Sequence, residues 1–470
     1  MSKFLIIIAL SLLSAAAFGA VTGQAVSKDA DKVVTVSTET DNTLHKNPAV
    51  TAGLDIIPVK GGVKVTAGKC LIDGKTVTVK KDTFVPVAPG ASASVVNEQL
   101  KVPFAEPFLF INGTPLRGPF GVEMGTLGSY NIGSLILRKS PYGKPLTAGK
   151  DYVTEDSFAM VCLPEGSALS PDETLYASYS YSLLRVDGLF VTKSGNITLA
   201  KGKAAVVLPP IPTGPEGSLR IANIFRPFRS REVTENDIFT TGETAKDAKT
   251  CSKAGFIPKT MEKIKSGKPV TIVCWGDSVT AGGSPSRPEN VYVWVFERML
   301  KAKYPKANIT VIQEGEGGSN TLNWIYPDTH PFSNDRCKFE ERVAAHKPDL
   351  VTVEFVNDGG FSRDQLNASY GEITKRFADL GCECILITPH FVTPSWMGAD
   401  SVKCGETRDY TRFLREFATE RKLAVADAAA RWEHLKYEGI PYAVLLTNGI
   451  NHPEDTGHRM FAEELIKCFD

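Results

Sequence analysis

The chain has 470 residues, and single hydrophobic cores stop growing beyond about 250–300, so two or three domains are expected. Apolar residues make up 42% and charged residues 23%, and 24 Phe, 13 Tyr and 5 Trp can build real cores, which excludes disorder of the whole chain. Lys plus Arg and Asp plus Glu total 53 each, a net charge of zero, without the basic excess of a general nucleic-acid binder.

The chain opens with Met1-Ser2-Lys3, an apolar run from Phe4 to Leu13 and small residues from Ser14 to Ala20. This is the layout of a secretory signal peptide over residues 1–20. The run is too short to span a bilayer comfortably, so a secreted or periplasmic location is expected, with no transmembrane segment after cleavage. Nine cysteines, an odd number, leave at least one thiol free or bonded to another chain, and no Cys/His cluster has zinc spacing. Residues 21–48 read as a polar leader.

Residues 49–230 read as β structure, one or two sandwiches. Val63-Lys64-Val65 and Thr76-Val77-Thr78-Val79 alternate apolar and polar, the period of a half-buried strand. Asp73-Gly74 suits a hairpin turn between two such runs. Asp187-Gly188, between Leu175–Tyr181 and Leu189–Thr192, carries the same turn signal. Residues 231–254 are polar and charged and read as a connector.

From residue 255 strands and helices alternate. Helical stretches are expected over 257–264, 287–304, 370–380, 410–421 and 457–468. Strands are expected over 270–275, 309–312, 350–356, 384–388 and 423–426. Such alternation implies a parallel sheet covered on both faces, with the ligand site outside the carboxyl ends of its strands.

The sharpest chemistry lies at those ends. The first strand runs into Gly276-Asp277-Ser278. A serine at a strand's carboxyl edge, among backbone N–H groups, can act as a nucleophile, although Asp-Ser is also a common cap. The second strand ends in Glu314-Gly315-Glu316-Gly317-Gly318-Ser319, a tight turn whose N–H groups a substrate oxygen can reach. The third ends in Asn357-Asp358-Gly359-Gly360, either an Asx turn or a source of an amide donor. Near the C-terminus, Asn448-Gly449-Ile450-Asn451-His452-Pro453 precedes the closing helix and offers a general base.

These four blocks, in this order over residues 255–470, resemble the SGNH or GDSL hydrolase superfamily. The resemblance implies a three-layer, flavodoxin-like α/β domain. It implies Ser278 as nucleophile and His452 as base, and an oxyanion hole formed by the N–H groups of Ser278 and Gly318 and the side chain of Asn357. No metal or organic cofactor is implied. The chain departs from the family's pattern in three places. Gly449 stands where an Asp usually precedes the His by three residues, with Asn448 the nearest polar candidate to orient the imidazole and Asp455 following. Phe355 stands where a Gly is usual, and Gln313-Glu314 where an Asn is frequent.

An N-terminal β region ahead of such a domain resembles two-domain carbohydrate deacetylases, in which the β part helps bind or frame a glycan. The expected activity is therefore hydrolysis of a short acyl ester, an O-acetyl group on a polysaccharide. A lipase or lysophospholipase, and a catalytically weak glycan-binding surface protein, are the alternatives. Three further features have two readings each. Glu354 reads as a buried acid or an ion-paired one. His390, Trp396 and Met397 read as a substrate wall or as loop packing, and Tyr179 and Tyr181 as a sugar-stacking stripe or as sheet residues.

Overall fold

The structure, a computed structural model, describes residues 47–326 and 336–470. The expected signal peptide, and the leader up to residue 46, lie outside these residues. Among the described residues no helix is long and apolar enough to cross a membrane.

The N-terminal part is built of short antiparallel strands. Gly68–Ile72 and Lys75–Val79 pair antiparallel through the Asp73-Gly74 turn. Both turn residues have positive φ, 51° and 73°, as a two-residue hairpin turn of the right hand of twist requires. Cys70, Ile72, Val77 and Val79 point inward while their neighbours along the strand face solvent. This part has two cores. One joins Leu54, Val63, Val65, Val79 and Val85 to Leu189, Val191, Ile221 and Ile224. The other, from Leu100 to Tyr179, is built wholly from the stretch between. The second unit is thus an insertion into the first.

Asp187-Gly188 is not a turn. Both lie inside the strand Arg185–Val191, which is buried along its whole length. The Asp187 carboxylate takes Arg185 Nε at 2.8 Å and the Gly202 N–H at 2.9 Å. Breaking such a buried pair typically costs about 3–5 kcal/mol, so the aspartate is held in the strand. A Cβ on Gly188 would lie 2.6 Å from the Phe190 ring, the close approach that glycine inside a strand often marks. The segment expected as a connector contributes a strand, Ile238–Thr240, which pairs with Leu219–Arg226.

The C-terminal part has five parallel strands: β1 (Val270–Gly276), β2 (Ile309–Gly315), β3 (Leu350–Glu354), β4 (Glu383–Ile387) and β5 (Ala424–Ala426), in the order β2-β1-β3-β4-β5. Alternation along β1 explains the two-sided burial. Ile272 and Cys274 join the core of helices Tyr292–Lys303 and Asp455–Ile466, with Phe296 and Phe461. Val273 and Trp275 join that of helices Arg363–Leu380 and Asp409–Arg421, with Phe377 and Phe413.

The two parts share a core. Leu184, Val186, Phe225 and Phe239 of the β-rich part pack into the first of these two faces. Asn223 Nδ2 donates to the carbonyl of Gly439 at 2.6 Å, and the N–H groups of Gly242 and Glu243 both reach the Tyr437 carbonyl at 3.0 Å.

Candidate active site

The Gly-Asp-Ser turn is shaped by its first two residues. A Cβ on Gly276 would sit 2.2 Å from the Glu354 carbonyl oxygen and 2.1 Å from Thr280 Oγ1, so only glycine lets β1 and β3 end side by side here. Asp277 caps the short helix Ser278–Ala281, its Oδ1 accepting from Val279 N at 3.0 Å. Its Oδ2 accepts from Asn357 N at 3.1 Å, which ties the first block to the third. Ser278 then stands at the carboxyl edge of the sheet.

His452 reaches it. His452 Nε2 lies 2.8 Å from Ser278 Oγ. The histidine sits on a loop closed by the bridge between Leu446 and Pro453 and by the Thr447 N–H on the His452 carbonyl at 2.8 Å. Buried His390 braces it from behind, donating from Nε2 to the Asn451 carbonyl at 2.7 Å. Burial, then the nearby Arg408, holds His390 well below its ordinary pKa, so it acts as a neutral donor.

Asn448 is not the orienter of the imidazole. Its Oδ1 accepts the backbone N–H groups of Ile450, Asn451 and His452, at 2.9, 2.9 and 3.1 Å, and its Nδ2 donates to Asn451 Oδ1 at 3.1 Å. The side chain is spent on folding the loop, as a buried Asn in such a turn must be. Asp455 is also engaged elsewhere, accepting from Ser286 and Asn290.

The group on the far side of the imidazole is Glu123, in the β-rich part. His452 Nδ1 lies 2.5 Å from Glu123 Oε2. A carboxylate can only accept, so Nδ1 carries the proton and the Nε2 lone pair faces the Ser278 hydroxyl. Ser284 Oγ donates to the other carboxylate oxygen. Burial pushes the Glu123 carboxyl up, but the hydrogen bond and charge of His452 and the Ser284 bond outweigh it, and the net effect is below the ordinary glutamate range. Nothing in the sequence pattern pointed to Glu123, which lies 329 residues from His452. The one indirect signal was the missing acid at Gly449.

The candidate oxyanion donors lie at the other side of the serine. Gly318 has φ +73° in the turn after β2, and the Ser319 N–H closes that turn on the Glu316 carbonyl at 3.2 Å. Asn357 Nδ2 donates to the Ser319 carbonyl at 2.9 Å, which lays the amide against the turn and leaves its second N–H. Among the described residues the N–H groups of Ser278 and Gly318 have no protein acceptor. Arg342 braces the turn, bonding Glu314 at 2.9 Å, Glu316 at 3.1 Å and the Gly315 carbonyl at 3.1 Å.

Beneath the site lies a layer of buried acids. Glu354 is a buried acid, taking Thr280 Oγ1 at 2.9 Å, and is raised well above its ordinary pKa by burial and then by Asp277. Burial raises Asp277 to about 6 against the N–H groups of Val279 and Asn357. Asp358 accepts from Thr321 N at 3.0 Å and Tyr370 Oη at 2.9 Å, yet burial still raises it to about 7. An unfolded Asp ionises near pH 3.9. The folded state therefore holds an extra proton from there to about pH 7, and stability falls as pH rises through that window, by up to about 1.4 kcal/mol per unit. Asp358→Asn has no such proton to lose. Thermal unfolding at about pH 5 and about pH 8 is expected to find the variant gaining on wild type at the higher pH, and parallel curves would refute the assignment.

Phe355 packs edge-to-face on Trp275, with ring centroids 4.9 Å apart, and is core rather than turn. Gln313 Nε2 donates to the Thr280 carbonyl at 2.7 Å, supporting the short helix Ser278–Ala281. His390 and Met397 are buried and Trp396 is exposed. Tyr179 is buried, its hydroxyl donating to Glu98 at 2.6 Å, and both it and Tyr181 pack with the second β core. All nine cysteines are free thiols and seven are buried. Among the described residues no group of three or more His, Cys, Asp or Glu is placed to hold a metal ion.

Residues 274–460 match the GDSL-like Lipase/Acylhydrolase family. Among solved structures, a two-domain esterase (CEX) active on acetylated mannans is 21% identical, with 47% of this chain and 54% of that chain covered and a TM-score of 0.38. Axe2, an acetylxylan esterase from Geobacillus stearothermophilus, is 24% identical, with 44% and 96% covered and a TM-score of 0.34. The chain spans about half the length of the two-domain esterase. No curated protein matches it. The matched segment holds the Gly-Asp-Ser turn, the glycine turn after β2, the Asn357 turn and the histidine loop, and it is this segment of the chain that is similar to GDSL-like lipases and acylhydrolases.

Proposed function

We propose that the protein removes a short acyl group, acetyl foremost, from a carbohydrate hydroxyl by way of an acyl-enzyme on Ser278. The observation that carries the reading is the 2.8 Å bond between Ser278 Oγ and His452 Nε2, in the tautomer a general base needs. His452 takes the serine proton as Oγ attacks the ester carbonyl, and a C–O bond forms while the carbonyl oxygen becomes an oxyanion. The N–H groups of Ser278 and Gly318 and the free N–H of Asn357 receive it. The imidazolium then returns its proton to the leaving sugar oxygen as the ester C–O bond breaks. Water repeats the sequence on the acyl-enzyme, releasing the carboxylic acid and restoring Ser278.

Glu123, which bonds His452, Ser284, which bonds Glu123, and the Asn357–Ser319 turn are polar, which suits a hydroxylated alcohol better than a long acyl chain. The apolar run from Phe4 to Leu13 supports export, and polysaccharide outside the cytoplasm is the matching substrate.

The test is a series of p-nitrophenyl esters from acetyl to decanoyl, with acetate release from acetylated mannan and acetylated xylan measured beside it. The acetyl ester is expected to have the highest kcat/KM and at least one polysaccharide to release acetate. Highest activity on the longest chain would point to the lipase alternative. A fluorophosphonate probe is expected to label Ser278, located by peptide mass; no labelling would point to a binding protein.

A further inference from the structure

We infer that the β-rich part completes the catalytic site: its Glu123 is the positioning residue of His452. This rests on the esterase reading above and assigns a task within it.

Four observations meet here. First, Glu123 is within 2.5 Å of Nδ1, the nitrogen opposite the serine, where a triad acid fixes the tautomer and stabilises the imidazolium. Second, both carboxylate oxygens are engaged, the other one by Ser284, which follows the nucleophile helix. The acid is therefore held from two sides.

Third, the loop that carries Glu123 is built for its place. Phe120 and Gly125 bridge across it, and Gly121 N reaches the Met124 carbonyl at 2.8 Å. Val122 N then crosses to the Thr447 carbonyl on the histidine loop at 3.4 Å. Met124 and Leu127 pack with Phe158, Met160 and Ile450 in an apolar cluster that spans the two parts. Glutamate loop and histidine loop are thus clamped to each other by backbone and by side chains.

Fourth, the position that would otherwise carry the acid is closed. Gly449 has φ +69°, and a Cβ there would lie 2.9 Å from Thr126 Cγ2 of the same β-rich loop. An aspartate at 449 would be strained by its backbone and would meet that loop. The approach that shuts out an acid from residue 449 is the one that brings in Glu123. Asp455 does not compete, because it is bound by Ser286 and Asn290.

The test uses the full chain, with Glu123→Gln, Glu123→Asp and His452→Ala. In Glu123→Gln the amide can donate to Ser284 Oγ and keep its carbonyl on Nδ1, so the tautomer is preserved and only the charge is lost. A hydrogen bond to a charged group is the stronger kind, and kcat is expected to fall about ten- to a hundredfold, with KM within about twofold of wild type. Glu123→Asp keeps the charge and is expected to recover part of the loss. Added to His452→Ala, Glu123→Gln is expected to change nothing further.

Loss of the carboxylate also destabilises the imidazolium, so the acid limb of kcat is expected to move to lower pH. Among the described residues Asp277, His390 and His458 also interact with His452, and all three remain in the variant. A change in KM alone, or an unchanged kcat and acid limb, would overturn the proposal. Failure of the esterase reading is separable, because the proton that His452 Nδ1 shares with Glu123 can be read by proton NMR without turnover. Its resonance moving upfield in Glu123→Gln supports the pairing in an inactive protein, and an unchanged resonance refutes it.

Discussion

Ser278→Ala is expected to lower kcat for p-nitrophenyl acetate by about 10⁴-fold or more, with thermal unfolding unchanged. The side chain is small, it stands at the sheet edge, and its one described side-chain bond is to His452, so little stability is at stake. His452→Ala is expected to cost about as much, because a serine hydroxyl without a base is a poor nucleophile near neutral pH. The double variant is the decisive measurement. Groups that act as a unit are far from additive, so Ser278→Ala/His452→Ala should be no slower than either single variant. Losses that multiplied would mean that the two residues contribute separately, and the 2.8 Å bond would not be the catalytic contact.

The candidate site was legible in the sequence wherever its geometry is local. Gly276-Asp277-Ser278 follows an apolar run, and the run is a strand because its alternate residues feed two cores, Cys274 one and Trp275 the other. The helix expected over 410–421 is found at Asp409–Arg421. The same logic failed where tertiary contacts decide. Asp73-Gly74 and Asp187-Gly188 are the same dipeptide. The first makes a hairpin turn at the surface; the second lies in a buried strand, because Arg185 neutralises Asp187 and the Phe190 ring fills the space over Gly188. No local pattern carries the position of an arginine guanidinium or a ring.

Glu123 is the larger case. The acid expected near His452 comes instead from a loop of a different part of the chain, across a contact made only when both parts are folded. Asn448 drew attention by its closeness in sequence, yet three backbone N–H groups claim its oxygen. What the sequence did offer was an absence, glycine at 449. Its physical meaning, a left-handed backbone against Thr126, is visible only with the neighbouring loop in place.

Asn357→Ala is expected to reduce kcat by about 100- to 1000-fold. The residue has two jobs, and they predict different things. Its backbone N–H on Asp277 Oδ2 holds the first and third turns together, and alanine retains that bond. Its side-chain amide bonds the Ser319 carbonyl and, in the proposed mechanism, meets the oxyanion with its second N–H. An interaction made only in the transition state lowers kcat and kcat/KM together and leaves KM nearly unchanged. If Asn357 served only to fix the glycine turn, a loss of stability and a raised KM should accompany the rate. Asn357→Asp sharpens the distinction, since an aspartate turns a negative charge toward a developing negative charge and should be slower than alanine. An aspartate variant faster than alanine, or a loss confined to KM, would remove Asn357 from the oxyanion hole and leave the backbone N–H groups of Ser278 and Gly318 as its donors.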